Sequence, residues 1–288
     1  MNSIWQDIRY KFLQSGSRIN LLIGINVLVF LLINIPAILL RLMGNNMLDS
    51  FANEYIALPA YLPTLLTHFW TPVTYMFMHA DIFHILFNML WLFWMGQIFE
   101  EYLGNKRLLG LYIMGGLAGA AFYILCFNVF PLFAGVLPGA TVVGASASVM
   151  AIVVATATLL PNYTIYLMFL GPVKLKWIAV FYVVIDFLSI TGPNAGGELA
   201  HLGGALLGFL YIKALNRGQD WGRSVDNVFT QRPKVKVATQ NKTYQQPSVS
   251  TPRQEEIDHI LDKISQSGYD SLNKHEKEVL FRASKHEG

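Results

Sequence analysis

Gly144-Ala145-Ser146-Ala147 opens one long apolar stretch of this chain, and Ala200-His201-Leu202-Gly203-Gly204 lies inside another. The residues around them decide the fold class. Hydrophobic residues make up 53% of the sequence and charged residues 14%, a balance outside the range of water-soluble globular domains. Charge is also unevenly placed, because residues 217–288 hold 12 of the 21 Lys and Arg. The chain before residue 217 therefore reads as membrane-embedded.

Crossing a hydrocarbon layer of ~30 Å takes ~20 apolar residues in a helix. Six stretches qualify, roughly 19–40, 82–99, 107–130, 144–160, 174–191 and 199–215. The expected fold is an all-α polytopic membrane protein with six transmembrane helices, both termini on one side and a short helical tail. Basic residues in short loops set the orientation. Arg9, Lys11, Arg18, Lys106, Arg107, Lys174, Lys176 and Lys213 fall on the side of the termini and Arg41 on the other, which predicts cytoplasmic termini. Loops 41–81, 131–143 and 192–198 then face outward. The first of them carries Leu62, Leu65, Leu66, Phe69 and Trp70 between Pro59 and Pro72, a pattern for a partly helical segment at the interface. No cleavable leader is read at Met1-Asn2-Ser3-Ile4, so the first span is expected to act as its own targeting signal. The one cysteine, Cys126, offers neither a disulfide framework nor a thiolate metal site.

Ser146 falls in the first turn of span four, where free backbone N–H groups and the helix dipole favour negative charge. Small residues there equally allow helices to approach closely. An ionisable side chain inside a span, such as His201, marks a functional site or a paired polar contact. Gly204 and Gly208 follow it with small-xxx-small spacing, which suits tight packing against a neighbour such as span four. His84 and Asn88 lie four residues apart on one face of span two. They read either as donors to an oxyanion or as an interhelical polar clamp. Asp186 in span five invites a triad with His201, although an aspartate near a helix end also reaches water.

Together these residues resemble the rhomboid intramembrane serine proteases over roughly residues 19–216. The motifs are His84-Ile85-Leu86-Phe87-Asn88, Gly144-Ala145-Ser146, and Ala200-His201 followed by Gly204 and Gly208. The resemblance implies a Ser-His dyad, with Ser146 as nucleophile and His201 as general base and acid. It implies an oxyanion site from His84, Asn88 and the Ser146 amide, packing roles for Gly144, Gly204 and Gly208, and neither metal nor cofactor. Single-span membrane proteins are the implied substrates and the lipid bilayer the medium; no nucleic-acid partner is expected. The sequence departs from the family at Ala147, where a second glycine is common, at Met150, and at Trp70-Thr71 in place of a Trp-Arg pair. Glu100 resembles a structural glutamate and His79 a loop histidine near the oxyanion site, while His68 reads as interfacial. Zinc and aspartyl intramembrane proteases are excluded, since the sequence has no His-Glu-x-x-His and no paired intramembrane aspartates. A catalytically silent relative that binds transmembrane clients would keep the fold without needing Ser146 and His201.

The domain reading is a cytoplasmic N-terminal segment at 1–18, the six-span domain at 19–216, a flexible linker at 217–250 and a helical hairpin at 251–288. Thr251, Pro252 and Gln254 read as a helix start, Ile257, Leu261 and Ile264 as its apolar face, Gly268 as its end, and Asn273 to Glu276 as the cap of a second helix. This hairpin resembles a tail appended to rhomboid proteases of Bacteroidetes-type bacteria. It reads either as a partly ordered cytoplasmic tail or as a docking or regulatory element for a cytoplasmic partner, on a chain expected in a bacterial inner membrane.

Overall fold

The computed structural model describes residues 17–167, 171–221 and 254–284. The chain divides into two units, Met1–Arg232 and Pro233–Gly288. The N-terminal segment before Ser17, most of the expected linker, and the Thr251-Pro252 helix start lie outside the described residues.

In the first unit, α1 (Arg18–Leu42) leads into a long loop holding α2 (Met47–Tyr55), the two-residue strand β1 (Leu58–Pro59), α3 (Leu62–Thr67), α4 (Thr71–Thr74) and a 3-10 turn at Tyr75–Phe77. α5 (Ile82–Leu103) and α6 (Asn105–Val129) meet at Gly104, whose φ of 80° reverses the chain. Two 3-10 turns and β2 (Thr141–Val142) precede α7 (Ser146–Leu159). Then come β3 (Thr164–Leu167), β4 (Gly171–Lys174), α8 (Leu175–Ser189) and α9 (Ala195–Leu215).

A helix forms within each of the six apolar stretches, but not all reach spanning length. α1, α5, α6 and α9 are long and apolar enough to cross a membrane. α7 has 14 residues and α8 has 15, which gives only about 21 and 23 Å of rise. α7 is short because Pro161 follows it and cannot continue a helix. Its buried residues run from Ala147 through Ala157, so its length is enclosed by neighbouring helices rather than by lipid, and a shorter helix is tolerated there. The segment between α7 and α8, read from the sequence as a plain loop, pairs instead as an antiparallel β3–β4 hairpin, Thr164 opposite Lys174.

Close helix contact at the centre comes from absent side chains. A Cβ on Gly204 or Gly208 of α9 would collide with the carbonyl oxygens of Ala147 and Ala151 of α7. Gly115 and Gly119 of α6 receive the Ala151 and Ala147 methyl groups from the other side. Small-residue contact of this kind replaces hydrophobic driving force where the solvent is lipid.

Both ends of the bundle are tied by hydrogen bonds. At the Ser146 end, β1 pairs with β2, Leu58 opposite Val142. The Gly144 N–H donates to the Tyr75 carbonyl at 2.9 Å, the Tyr75 hydroxyl to the Gly116 carbonyl at 2.6 Å, and the Trp70 indole to the Tyr55 carbonyl at 2.8 Å. At the far end, Glu100 accepts from the Arg18 and Ile19 amides at 3.1 and 3.2 Å, so it ties the end of α5 to the start of α1. Arg107 pairs with Asp220 at 2.8 Å.

The second unit contains α10 (Gln254–Ser267), a 3-10 turn at Tyr269–Ser271, and α11 (Lys274–Ser284). Gly268, at φ 78°, ends α10. Asn273 and Glu276 form a reciprocal capping box: the Glu276 amide donates to Asn273 Oδ1 at 2.9 Å and the Asn273 amide to Glu276 Oε2 at 2.7 Å. Ile260, Leu272 and Val279 are buried, with Ile264 and Leu280 against them. The expected apolar face was wrong at Leu261, which is 49% exposed. Ile260 takes the inward position because the face that meets Val279 is rotated by one residue.

Candidate active site

Ser146 is the first residue of α7, so its N–H has no acceptor within the helix. Gly144, two residues earlier, has φ 133°. A Cβ there would lie 2.8 Å from His84 Nε2 and 3.3 Å from Ser146 Oγ. Backbone conformation and lack of room both demand glycine at this point, and the same geometry brings His84 Nε2 and Ser146 Oγ against one small volume.

His84 sits in the first turn of α5. Asp81 caps that helix, its Oδ1 accepting the Phe83 and His84 amides at 2.9 Å each. The Ala80 N–H donates to His84 Nδ1 at 3.4 Å, which leaves the ring proton on Nε2, the nitrogen beside Ser146. Asn88, one turn further along, is buried and gives one amide hydrogen to the His84 carbonyl at 2.9 Å. Its second N–H is not used in that bond. His79 is buried behind His84, ring centroids 5.1 Å apart and edge to face. Burial, reinforced by the His84 ring, lowers its pKa to about 4. His68 stands apart, between the rings of Tyr55 and Trp70.

His201 is in the second turn of α9 with its side chain 19% exposed. Its Nδ1 is 3.3 Å from Asp186 Oδ1 and 3.8 Å from Glu198 Oε2. Asn194 Nδ2 holds the other Glu198 oxygen at 3.2 Å. Ser146, His201, His84, Asn88 and Met150 all line a single cavity of about 560 Å³, together with Asp186 and Glu198. Ala147 does not line it; its methyl group fills the contact with Gly119. Donor atoms of Asp186, Glu198 and His201 lie within 4.8 Å of one another, a spacing a divalent cation could bridge, while the 3.3 Å separation already suits an N–H···O hydrogen bond.

Two carboxylates of this site were undervalued by the sequence reading. Asp186 does not reach water by a helix end; it is 5% exposed and turned toward His201. Glu198 was assigned to the loop before span six, whereas α9 begins at Ala195 and places it one turn from His201. Their signal was available in the three-residue spacing from Glu198 to His201, had the helix been extended past Gly196 and Gly197.

A rhomboid domain matches residues 66–217, and a family of unknown function matches residues 250–286. The mitochondrial RHOMBOID-like protein 12 of Arabidopsis thaliana is 33% identical over 158 residues, which is 52% of this chain and 47% of that protein. The chain thus spans about half the length of that relative. The motifs around His84, Ser146 and His201 all fall inside the matched domain, which covers more than half of the sequence, and the chain belongs to the rhomboid family.

Proposed function

We propose that this chain is an intramembrane serine endopeptidase that cleaves transmembrane segments of single-span proteins. The observation that carries the reading is the shared cavity: a serine at a helix N-terminus, an imidazole backed by carboxylates, and a second imidazole with its N–H beside the serine. His201 takes the Ser146 proton as Oγ attacks the scissile carbonyl carbon. The oxyanion receives hydrogen bonds from the Ser146 amide, His84 Nε2 and Asn88. Collapse expels the amine, protonated by His201, and water then hydrolyses the acyl-enzyme with His201 again as base. The substrate must present unwound backbone, because a helix keeps its carbonyls internally bonded.

In this reading the six helices α1 and α5 to α9 cross a bacterial inner membrane, termini cytoplasmic, with the Ser146 end outward. The distribution of basic residues supports that orientation. The second unit is a cytoplasmic docking element. Purified chain incubated in detergent with a panel of single-span proteins tests the activity: the intact chain cleaves some of them, and Ser146→Ala and His201→Ala cleave none. Equal products from all three, or no cleavage of any panel member by folded intact chain, would contradict it and favour a silent client-binding relative.

A further inference from the structure

The rhomboid resemblance implies two catalytic side chains, yet the cavity contains an unassigned acidic pair. We infer that Asp186, backed by Glu198, is the positioning carboxylate of a three-part relay that holds His201 for proton transfer. The inference rests on the endopeptidase reading and deepens it. Asp186 comes from α8 and reaches His201 on α9 across a tight turn, in which the Gly192 amide donates to the Ser189 carbonyl at 2.8 Å and the Ala195 amide to the Gly192 carbonyl at 3.2 Å. That turn fixes the spacing of the two helices where carboxylate and imidazole meet.

The placement carries a chemical consequence. Asp186 is 5% exposed, and its second oxygen, Oδ2, meets no hydrogen-bond donor among the described residues. A buried carboxylate with so few partners is poorly stabilised. It gains most when the adjacent imidazole becomes a cation, which is the state His201 enters when it accepts the Ser146 proton. The stabilisation is therefore larger in the transition state than in the resting enzyme. Carboxylate oxygens from two helices both face Nδ1, so the ring carries its resting proton there and leaves Nε2 free to accept. Glu198 cannot replace Asp186 directly: it stands at 3.8 Å, held from behind by Asn194. It limits rotation of the ring. The ionisable groups that line the cavity with His201 are Asp186 and Tyr182 from α8, Glu198 from its own helix, and His84 of α5 with Asp81 at the cap of that helix.

A purely structural clamp between α8 and α9 would use the same contact, and the two roles part at Asp186→Asn. The amide is the same size and can still hydrogen-bond to Nδ1, so a clamp survives. A positioning carboxylate does not, because the amide donates to Nδ1 and drives the ring proton to Nε2. Cleavage by full-length protein in detergent, with thermal unfolding as the check on folding, should show kcat reduced by about 100-fold or more with KM little changed. Asp186→Ala should be less damaging than Asp186→Asn, and Asp186→Glu should recover much of the loss. In the Ala variant the acidic limb of the kcat profile should move to lower pH, since the imidazolium has lost its carboxylate. Asp186→Asn within about threefold of the intact chain overturns the inference. If the Asn variant does not fold, Asp186→Ala decides: an unshifted pH profile overturns it and a shifted one supports it. Intact chain labelled at Ser146 by a fluorophosphonate, alongside an equally active Asn variant, leaves the endopeptidase reading standing while this inference falls. Unlabelled intact chain removes both.

Discussion

At His84 the account makes its most exposed commitment for a single residue. The ring must donate through Nε2, because Ala80 occupies Nδ1. His84→Ala should lower kcat by ~10²-fold or more with KM little changed, the cost of one oxyanion donor, measured by single-turnover cleavage. Asn88→Ala should cost less, since one of its hydrogens is already spent on the His84 carbonyl. Behind them His79 makes a prediction about pH. Burial and His84 hold its pKa at about 4 against an ordinary 6.5, so between those values the unfolded chain binds a proton that the folded chain refuses. Stability must then rise with pH across that window. Thermal unfolding in detergent should show the protein losing stability as pH falls from 6.5 toward 4, with a smaller loss in His79→Phe. The residues that share the cavity were legible in the sequence because each is a polar exception in an apolar context. Asp186 was visible for the same reason, but its partner was not, since nothing in the spacing of residues 186 and 201 says that a turn folds one onto the other.

At the scale of elements the decisive feature is the glycine seam between α9 and α7. Gly204→Val puts a branched Cβ against the Ala147 carbonyl oxygen, an overpacking that should destabilise the protein by roughly 3 kcal/mol. Gly139→Ala, where nothing lies within 4 Å of the added carbon, should leave the unfolding midpoint unchanged. In the second unit, Asn273→Ala removes a cap worth about 1 kcal/mol, and amide exchange in α11 should accelerate while α5 to α9 stay protected. Apolar run length located the helices well but not their ends. Proline at 161 shortens α7, and α9 begins at Ala195, early enough to include Glu198. These are local boundary effects that a hydropathy window smooths away. The β3–β4 hairpin escaped for a similar reason: its strands have only four residues each, too short for alternation to stand out.

At the scale of the whole molecule the division into Met1–Arg232 and Pro233–Gly288 separates chemistry from the appended hairpin. Every residue lining the cavity belongs to the first unit. Deleting Pro233–Gly288 should therefore leave kcat on a detergent-solubilised substrate unchanged, and a change would assign the hairpin a direct hold on catalysis. Membrane class and family were legible across the sequence because composition and three ordered motifs act over long distances. Which helices reach full spanning length was not, because burial by neighbours rather than sequence decides how short α7 is allowed to be. The most direct test of the central claim is chemical. Purified full-length protein in lipid is treated with a fluorophosphonate and the adduct is mapped by peptide mass spectrometry. The account predicts a single adduct on Ser146, abolished in Ser146→Ala and strongly slowed in His201→Ala. Folded protein that stays unlabelled, or labels at the same rate without His201, would contradict it.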